Sequence, residues 1–188
     1  MPQWMEWEIG LLDWIQQSLR GPVLDALLPA ITALGNAGAI WIVLGLVLLI
    51  PRKRREQGAV ILIALAMCGL LGNLVLKPLV ARPRPFAWNP EIQLLIDAPK
   101  DFSFPSGHSM SSLAAATALF LYDKKLGCAA LVLAGVIVFS RLYLYVHFLS
   151  DVLMGSLMGV ALAFAARWLY RKVRRLMVSR RKRGVKER

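Results

Sequence analysis

Long apolar runs separated by short polar stretches set the pattern of this chain. Gly58 to Leu76 contains no charged residue. Leu126 to Phe139 continues to about Tyr145, Val152 to Ala166 extends to about Tyr170, and the shorter Met110 to Tyr122 reaches back through "FPSGHS". A bilayer span needs roughly 20 mostly apolar residues, with every backbone polar group bonded inside the segment. A further run, Val23 to Ile50, is long enough to cross but is interrupted by Pro29 and by "LGNAG" at Leu34 to Gly38. It reads as one kinked span or as two shorter helices broken at Gly35. Ahead of it, "EWEIGLLDWIQQSLR" puts Trp7, Leu11, Trp14, Ile15 and Leu19 on one helical face, with Glu8, Asp13, Gln16, Gln17 and Arg20 mostly on the other. That pattern predicts a helix lying in the membrane interface, its tryptophans at headgroup level. The expected fold is therefore all-α: one domain over residues 1–188, with an amphipathic interfacial helix at 1–21, a polytopic transmembrane bundle of five to six spans at 22–170, and a tail at 171–188.

Composition agrees with a membrane chain, since 57% of the 188 residues are hydrophobic and 18% charged. The net charge of +12 is localised, for Arg167 to Arg188 alone holds eleven basic residues and one acid. Lysine and arginine directly after an apolar helix mark the cytoplasmic side of a bilayer, so no nucleic-acid partner is expected. Cys68 and Cys128 both fall inside apolar runs without metal-type spacing and read as small buried residues. The N-terminus lacks the basic start and cleavage site of a signal peptide, so it is expected to be retained.

Short basic loops orient the spans. "PRKRRE" at Pro51 to Glu56, "DKK" at Asp123 to Lys125 and the tail all qualify as cytoplasmic. Alternating helices then place Lys77 to Gly107 and Arg141 to His147 together at the extracytoplasmic face, with the C-terminus cytoplasmic.

Those two polar segments, at 77–108 and 141–151, carry both histidines of the protein, His108 and His147. His147 and Asp151 are four residues apart at the start of an apolar run. One helical turn brings them together, and the carboxylate can hold the imidazole in a single tautomer. Asp151 also suits a plain capping role at a helix N-terminus. In "FPSGHS", Pro105 stops a preceding helix, while Ser106 and Gly107 leave backbone N–H groups at the next helix start, a geometry that binds phosphate. His108 would project into the same space as a proton donor. Lys77, Arg84 and Arg141 form a candidate anion cradle, whereas Arg82 reads as a cation snorkelling to the interface.

Three segments carry a resemblance. Lys77, Arg84 and Pro85 fit K-x6-R-P, "PSGH" at Pro105 to His108 fits the second motif, and "SRLYLYVHFLSD" at Ser140 to Asp151 fits S-R-x5-H-x3-D. In this order they resemble the signature of the type 2 phosphatidic acid phosphatase superfamily, at every motif position. The resemblance implies that His147 attacks phosphorus to form a phosphohistidine, that Asp151 orients it, and that His108 protonates the leaving oxygen and then activates water. It implies that Lys77, Arg84, Arg141, Ser106 and the Gly107 N–H hold the phosphate oxygens. No metal or other cofactor is expected.

The substrate expected from this resemblance is a membrane lipid phosphate. The predicted extracytoplasmic site in a bacterial cytoplasmic membrane favours undecaprenyl diphosphate, with phosphatidylglycerol phosphate and phosphatidic acid as the alternative. "FAWNPEIQLLIDAPKDFSF" at Phe86 to Phe104 would form a lip, with Phe86 and Trp88 at the interface. Glu91, Asp97 and Asp101 are expected on the lip's water side, since each would repel the anion. A non-catalytic lipid-phosphate binder or transporter fits less well, because binding alone gives no work to His108 or to the His147 and Asp151 pair. Oligomeric state is left open, as the small residues in "MGSLMGVALA" at Met154 to Ala163 suit close packing within one subunit or between two.

Overall fold

In a computed structural model the backbone is described for residues 3–186 and the side chains for residues 5–179. The last residues of the basic tail, for which a cytoplasmic location was expected, lie outside the described side chains. All regular elements among the described residues are helical: α1 (Gln3–Leu19), α2 (Pro22–Leu34), α3 (Ala39–Leu49), α4 (Arg55–Cys68), α5 (Lys77–Val80), α6 (Gly107–Phe120), α7 (Lys124–Tyr143) and α8 (Leu149–Lys186). A π-helical stretch, Gly69–Leu76, joins α4 to α5, so that one long element carries Lys77 to its end.

Local chemistry sets the boundaries. Pro22 opens α2, where its missing N–H costs nothing. Asp123 caps α7 by accepting from the Leu126 N–H at 3.1 Å, and Ser106 caps α6 by accepting from the Ser109 N–H at 3.3 Å. The Val23 to Ile50 run is broken as its glycines suggest. Ala37 and Gly38 take left-handed φ values of 51° and 72°, and the axis bends by 44° between α2 and α3.

The apolar helices surround α6, whose inner residues, from Met110 through Ala114 and Ala118, are buried among side chains of α3, α4, α7 and α8. Close approach of α8 to α6 requires a missing side chain, because a Cβ on Gly159 would sit 2.3 Å from the Met110 carbonyl oxygen. The small-residue stripe therefore serves packing inside this subunit. Leu70, Leu74, Leu79, Val132 and Leu157 instead point outward and are more than half exposed, as lipid-facing side chains are.

Three helices are long and apolar enough to cross a membrane: 52–87, 124–143 and 149–179. A fourth is added if the bent α2 and α3 pair counts as one. Helix α6, at 14 residues, spans about 21 Å. The bent pair runs from one end of the bundle to the other. At its start, Tyr143 donates to Asp25 at 2.6 Å. Beyond its finish, Arg54 meets Asp123 at 3.5 Å.

Helix α1 corrects the expected face. Met5, Glu8, Leu12 and Ile15 are its buried residues, while Trp7 and Trp14 are each 56% exposed. The tryptophan stripe faces away from the protein, and the i, i+3, i+4 set one step around packs on the turn that follows α7.

Candidate active site

Both histidine-bearing segments meet at one end of the bundle. The turn between α7 and α8, residues 144–148, holds Tyr145 at φ 59° and is buried throughout. Gln16 of α1 donates to the Tyr143 carbonyl, Tyr145 donates to Asp13 at 2.7 Å, and Arg84 donates to the Val146 carbonyl at 2.6 Å. His147 is thus clamped from α1 on one side and from the end of the α4–α5 element on the other.

The contacts of His147 assign its protons. Arg84 Nη1 lies 3.1 Å from His147 Nε2. A guanidinium only donates, so Nε2 carries the lone pair and Nδ1 the hydrogen. Nδ1 sits 3.4 Å from Ser103 Oγ and 3.6 Å from Asp151 Oδ2, too far from the latter for a direct hydrogen bond. Ser103 fills the gap by donating to Asp151 Oδ2. The Phe148 N–H donates to the same oxygen at 2.9 Å, so the carboxylate also braces the turn that carries the histidine.

Burial pushes the His147 pKa well below its usual value, and the charges of Arg84, Arg141 and Lys77 push in the same direction. Asp151 pulls the other way from 3.6 Å but does not prevail against burial and three cations. The imidazole is neutral, with Nε2 available as a nucleophile.

Arg141 is 3% exposed. Its Nη1 donates to Thr32 Oγ1 at 2.7 Å, its Nε has no partner, and no carboxylate lies within ion-pairing distance of it among the described residues. Lys77 and Arg84 share one counter-ion, Asp101, with the Arg84 contact at 2.6 Å. Burial raises the Asp101 pKa, but hydrogen bonds and charge from Lys77 and Arg84 outweigh this and hold it down to about 2. His108 Nε2 lies 3.0 Å from Asn36 Oδ1. Close packing of the broken helix puts them together, for a Cβ on Gly35 would fall 2.8 Å from the His108 ring.

A cavity of about 1060 Å³ is lined by Lys77, Arg84, Gly107, His108, Arg141 and His147. It continues down an apolar wall formed by Ile42, Leu62, Leu65 and Ala66. Three cations and two imidazoles, with Asp97 and Asp101 also in the lining, beside an aliphatic wall match an amphiphile with an anionic head that displaces carboxylate from the cations. Ser106 does not line this space. It is fully buried, and its hydroxyl accepts from the Ser109 backbone and side chain. No group of three or more metal-type ligands occurs among the described residues.

Several residues depart from their expected places. Arg82 does not snorkel. It is 9% exposed, donates to Asp151 at 2.6 Å and to Glu8 at 2.7 Å, and lies 3.8 Å from the Phe148 ring centroid. Asp101 is not on the water side alone, because its carboxylate spans two of the three cradle cations. Phe86 packs inward while Trp88 is exposed. Thr32, Asn36, Ser103 and Glu8 belong to the site's structure and were missed. Each is a common polar residue remote from the motifs or between them, without a spacing that marks it.

The PAP2 superfamily profile matches residues 57–175, which include all three motifs. The chain belongs to the PAP2 superfamily. It is 33% identical over 126 residues to an undecaprenyl-diphosphatase of Sulfolobus acidocaldarius, covering 66% of this chain and 61% of that protein's length. Phosphatidylglycerophosphatase B of Bacillus subtilis is 32% identical over 171 residues, covering 84% of this chain and 80% of the relative. The crystal structure of Aquifex aeolicus LpxE superposes with a TM-score of 0.74 at 29% identity, covering 84% of this chain and 93% of that one. The Aquifex aeolicus structure thus shares the helical layout of this chain.

Proposed function

We propose that this PAP2-type phosphatase hydrolyses the terminal phosphate of a membrane lipid through a phosphohistidine on His147, and that undecaprenyl diphosphate is its substrate. The observation that carries the chemistry is the His147 tautomer. Its Nε2 lone pair borders a cavity in which Arg141 is buried, with no carboxylate among the described residues within ion-pairing distance of it. In the first step Nε2 bonds to phosphorus as the bond to the leaving oxygen breaks, and that oxygen takes a proton from His108. In the second, His108 takes a proton from water, the water oxygen bonds to phosphorus, and the N–P bond breaks. Lys77, Arg84, Arg141 and the Gly107 N–H stabilise the phosphoryl oxygens. Ser106 supports this cradle by capping α6.

The phosphate enters where Asp101 now bridges Lys77 and Arg84, so the carboxylate gives up those cations as the substrate binds. Five spans account for the topology: the bent α2–α3 pair, α4 with its extension, α6, α7 and α8. Basic residues Arg52, Lys53, Arg54, Lys124 and Lys125 cluster at the end opposite the site. The positive-inside rule then puts the site at the extracytoplasmic face of a bacterial cytoplasmic membrane, with the C-terminus inside. That face favours the undecaprenyl carrier. Phosphatidylglycerol phosphate and phosphatidic acid are the second reading, favoured by the similarity to phosphatidylglycerophosphatase B.

The deciding experiment is phosphate release by detergent-purified protein in EDTA, comparing undecaprenyl diphosphate, phosphatidylglycerol phosphate and phosphatidic acid, with His147→Ala alongside. Preference for the diphosphate, lost in the variant, is the expected result. Better turnover of the glycerolipids moves the function to phospholipid metabolism. Undiminished His147→Ala turnover removes the phosphohistidine.

A further inference from the structure

Asp151 does not face His147 alone. Arg82 Nη1 donates to its other oxygen at 2.6 Å, and Arg82 Nη2 donates to Glu8 Oε2 at 2.7 Å. Glu8 Oε1 accepts from the Ser150 N–H at 2.7 Å, and the Ser150 hydroxyl bridges Arg82 and Glu8 at 2.7 and 3.1 Å. Glu8 is 1% exposed and Asp151 fully buried. A carboxylate buried this deeply on a helix otherwise docked by Leu12 and Ile15 is costly unless it is paired and hydrogen-bonded, as this one is.

The charges explain why a second acid is useful. Arg82 and Asp151 alone sum to zero. Glu8 brings the trio to one net negative charge, beside a histidine that becomes cationic when Nε2 bonds to phosphorus while Nδ1 keeps its proton. Lys77, Arg84 and Arg141 oppose that new charge. With Arg82 shared between two carboxylates, Asp151 keeps more of its own charge for His147. Glu8 also fixes the first turn of α8 through the Ser150 N–H, one residue before Asp151.

We propose that Glu8, carried by the N-terminal helix, is a positioning residue for the phosphatase reaction, holding Arg82 and the start of α8 so that the Asp151 charge serves His147. The inference rests on His147 as nucleophile. It makes docking of α1 a requirement for chemistry and not only for packing.

Charge and shape are separable at this position. Glu8→Gln keeps the length and loses the charge, while Glu8→Asp keeps the charge and loses a methylene. The expected result with the preferred lipid phosphate is a fall in kcat of about 10- to 100-fold for Glu8→Gln, the scale for removing a partner that orients a catalytic ligand. KM stays within about threefold, since Glu8 does not border the cavity. Glu8→Asp is the more active of the two, and Glu8→Gln/Arg82→Gln recovers part of the Glu8→Gln loss because Asp151 again carries uncompensated charge. A tether without an electrostatic role predicts the reverse order, Gln above Asp, with losses that add in the pair, and either result overturns the proposal. The same ordering is read as phosphate release in native membranes if Glu8→Gln does not survive detergent. His147→Ala distinguishes the two claims. Inactive His147→Ala beside unaffected Glu8→Gln defeats this inference alone, whereas active His147→Ala defeats the phosphohistidine reading.

Discussion

The two ends of the helix bundle both gather arginine around a glutamate, but only one of them holds the proposed site. At the basic end, Arg171 and Arg174 meet Glu56 at 3.2 and 3.0 Å with 47% and 64% of their side chains exposed, and Tyr122 donates to the same carboxylate at 2.9 Å. At the cavity end, Arg82 and Arg84 are 9% and 4% exposed in their ion pairs, and Arg141 is buried with no carboxylate beside it. Solvent screens the first set, so its charges are weak and interchangeable. Burial removes that screening from the second, and each missing or extra charge there acts on the next group. The proposed phosphate site is therefore marked by cations that burial leaves under-neutralised, and counting basic residues would select the other end.

The most severe break of this contrast is His147→Ala, which removes the proposed nucleophile from the cavity end and is expected to abolish turnover. Arg141→Ala comes next. Losing a buried cation aimed at the developing charge costs about 100- to 1000-fold in kcat, and the folded protein should still be recoverable because no buried carboxylate is stranded. Phosphate-release kinetics check both. An Arg141→Ala enzyme with ordinary kcat would mean that Lys77 and Arg84 suffice.

Much of the site was legible because its chemistry is periodic or adjacent in the chain. The four-residue spacing of His147 and Asp151 and the helix start before His108 were readable, although the structure puts His147 in the turn ahead of α8, 3.6 Å from Asp151, and leaves Ser106 outside the cavity lining. Convergence of the two segments followed from alternating spans and basic loops. Contacts made across the fold were not legible. Glu8 looks like a water-facing position on an amphipathic helix, and its burial depends on Arg82, 74 residues away. Asp101 was expected to avoid an anion site, but it pairs with Lys77 and Arg84, two cations of the proposed cradle. Span lengths were partly legible as well. The α2–α3 break followed from the LGNAG stretch, whereas α8 runs on to Lys186, well past the expected end near Tyr170.

A smaller effect sharpens the contrast through pH. Because burial and the neighbouring cations lower the His147 pKa well below about 6.5, the folded ring stays neutral at pH 5.5 while the unfolded chain takes up a proton. This contribution to stability is fully present above pH 6.5 and declines below it, being lost as pH falls through the folded pKa. In a His108→Gln protein one histidine remains, so its ring resonances report His147 directly. They should show the neutral form from pH 7.5 to 5.5, while the thermal midpoint drops over the same range. Titration of the ring near 6.5 would mean that Asp151 offsets the burial.

The smallest effect belongs to the basic end. Arg174→Ala removes a 3.0 Å contact to Glu56, but Arg171 and Tyr122 still satisfy that carboxylate, and the lost pair is exposed. Stability should fall by less than about 1 kcal/mol, and kcat should stay within about twofold. A large loss of activity would show that the two ends are coupled through α8, whose first turn carries Asp151 and whose later turns carry Arg174. The charge contrast between the ends would then describe one connected device, and not a site with a separate, solvated anchor.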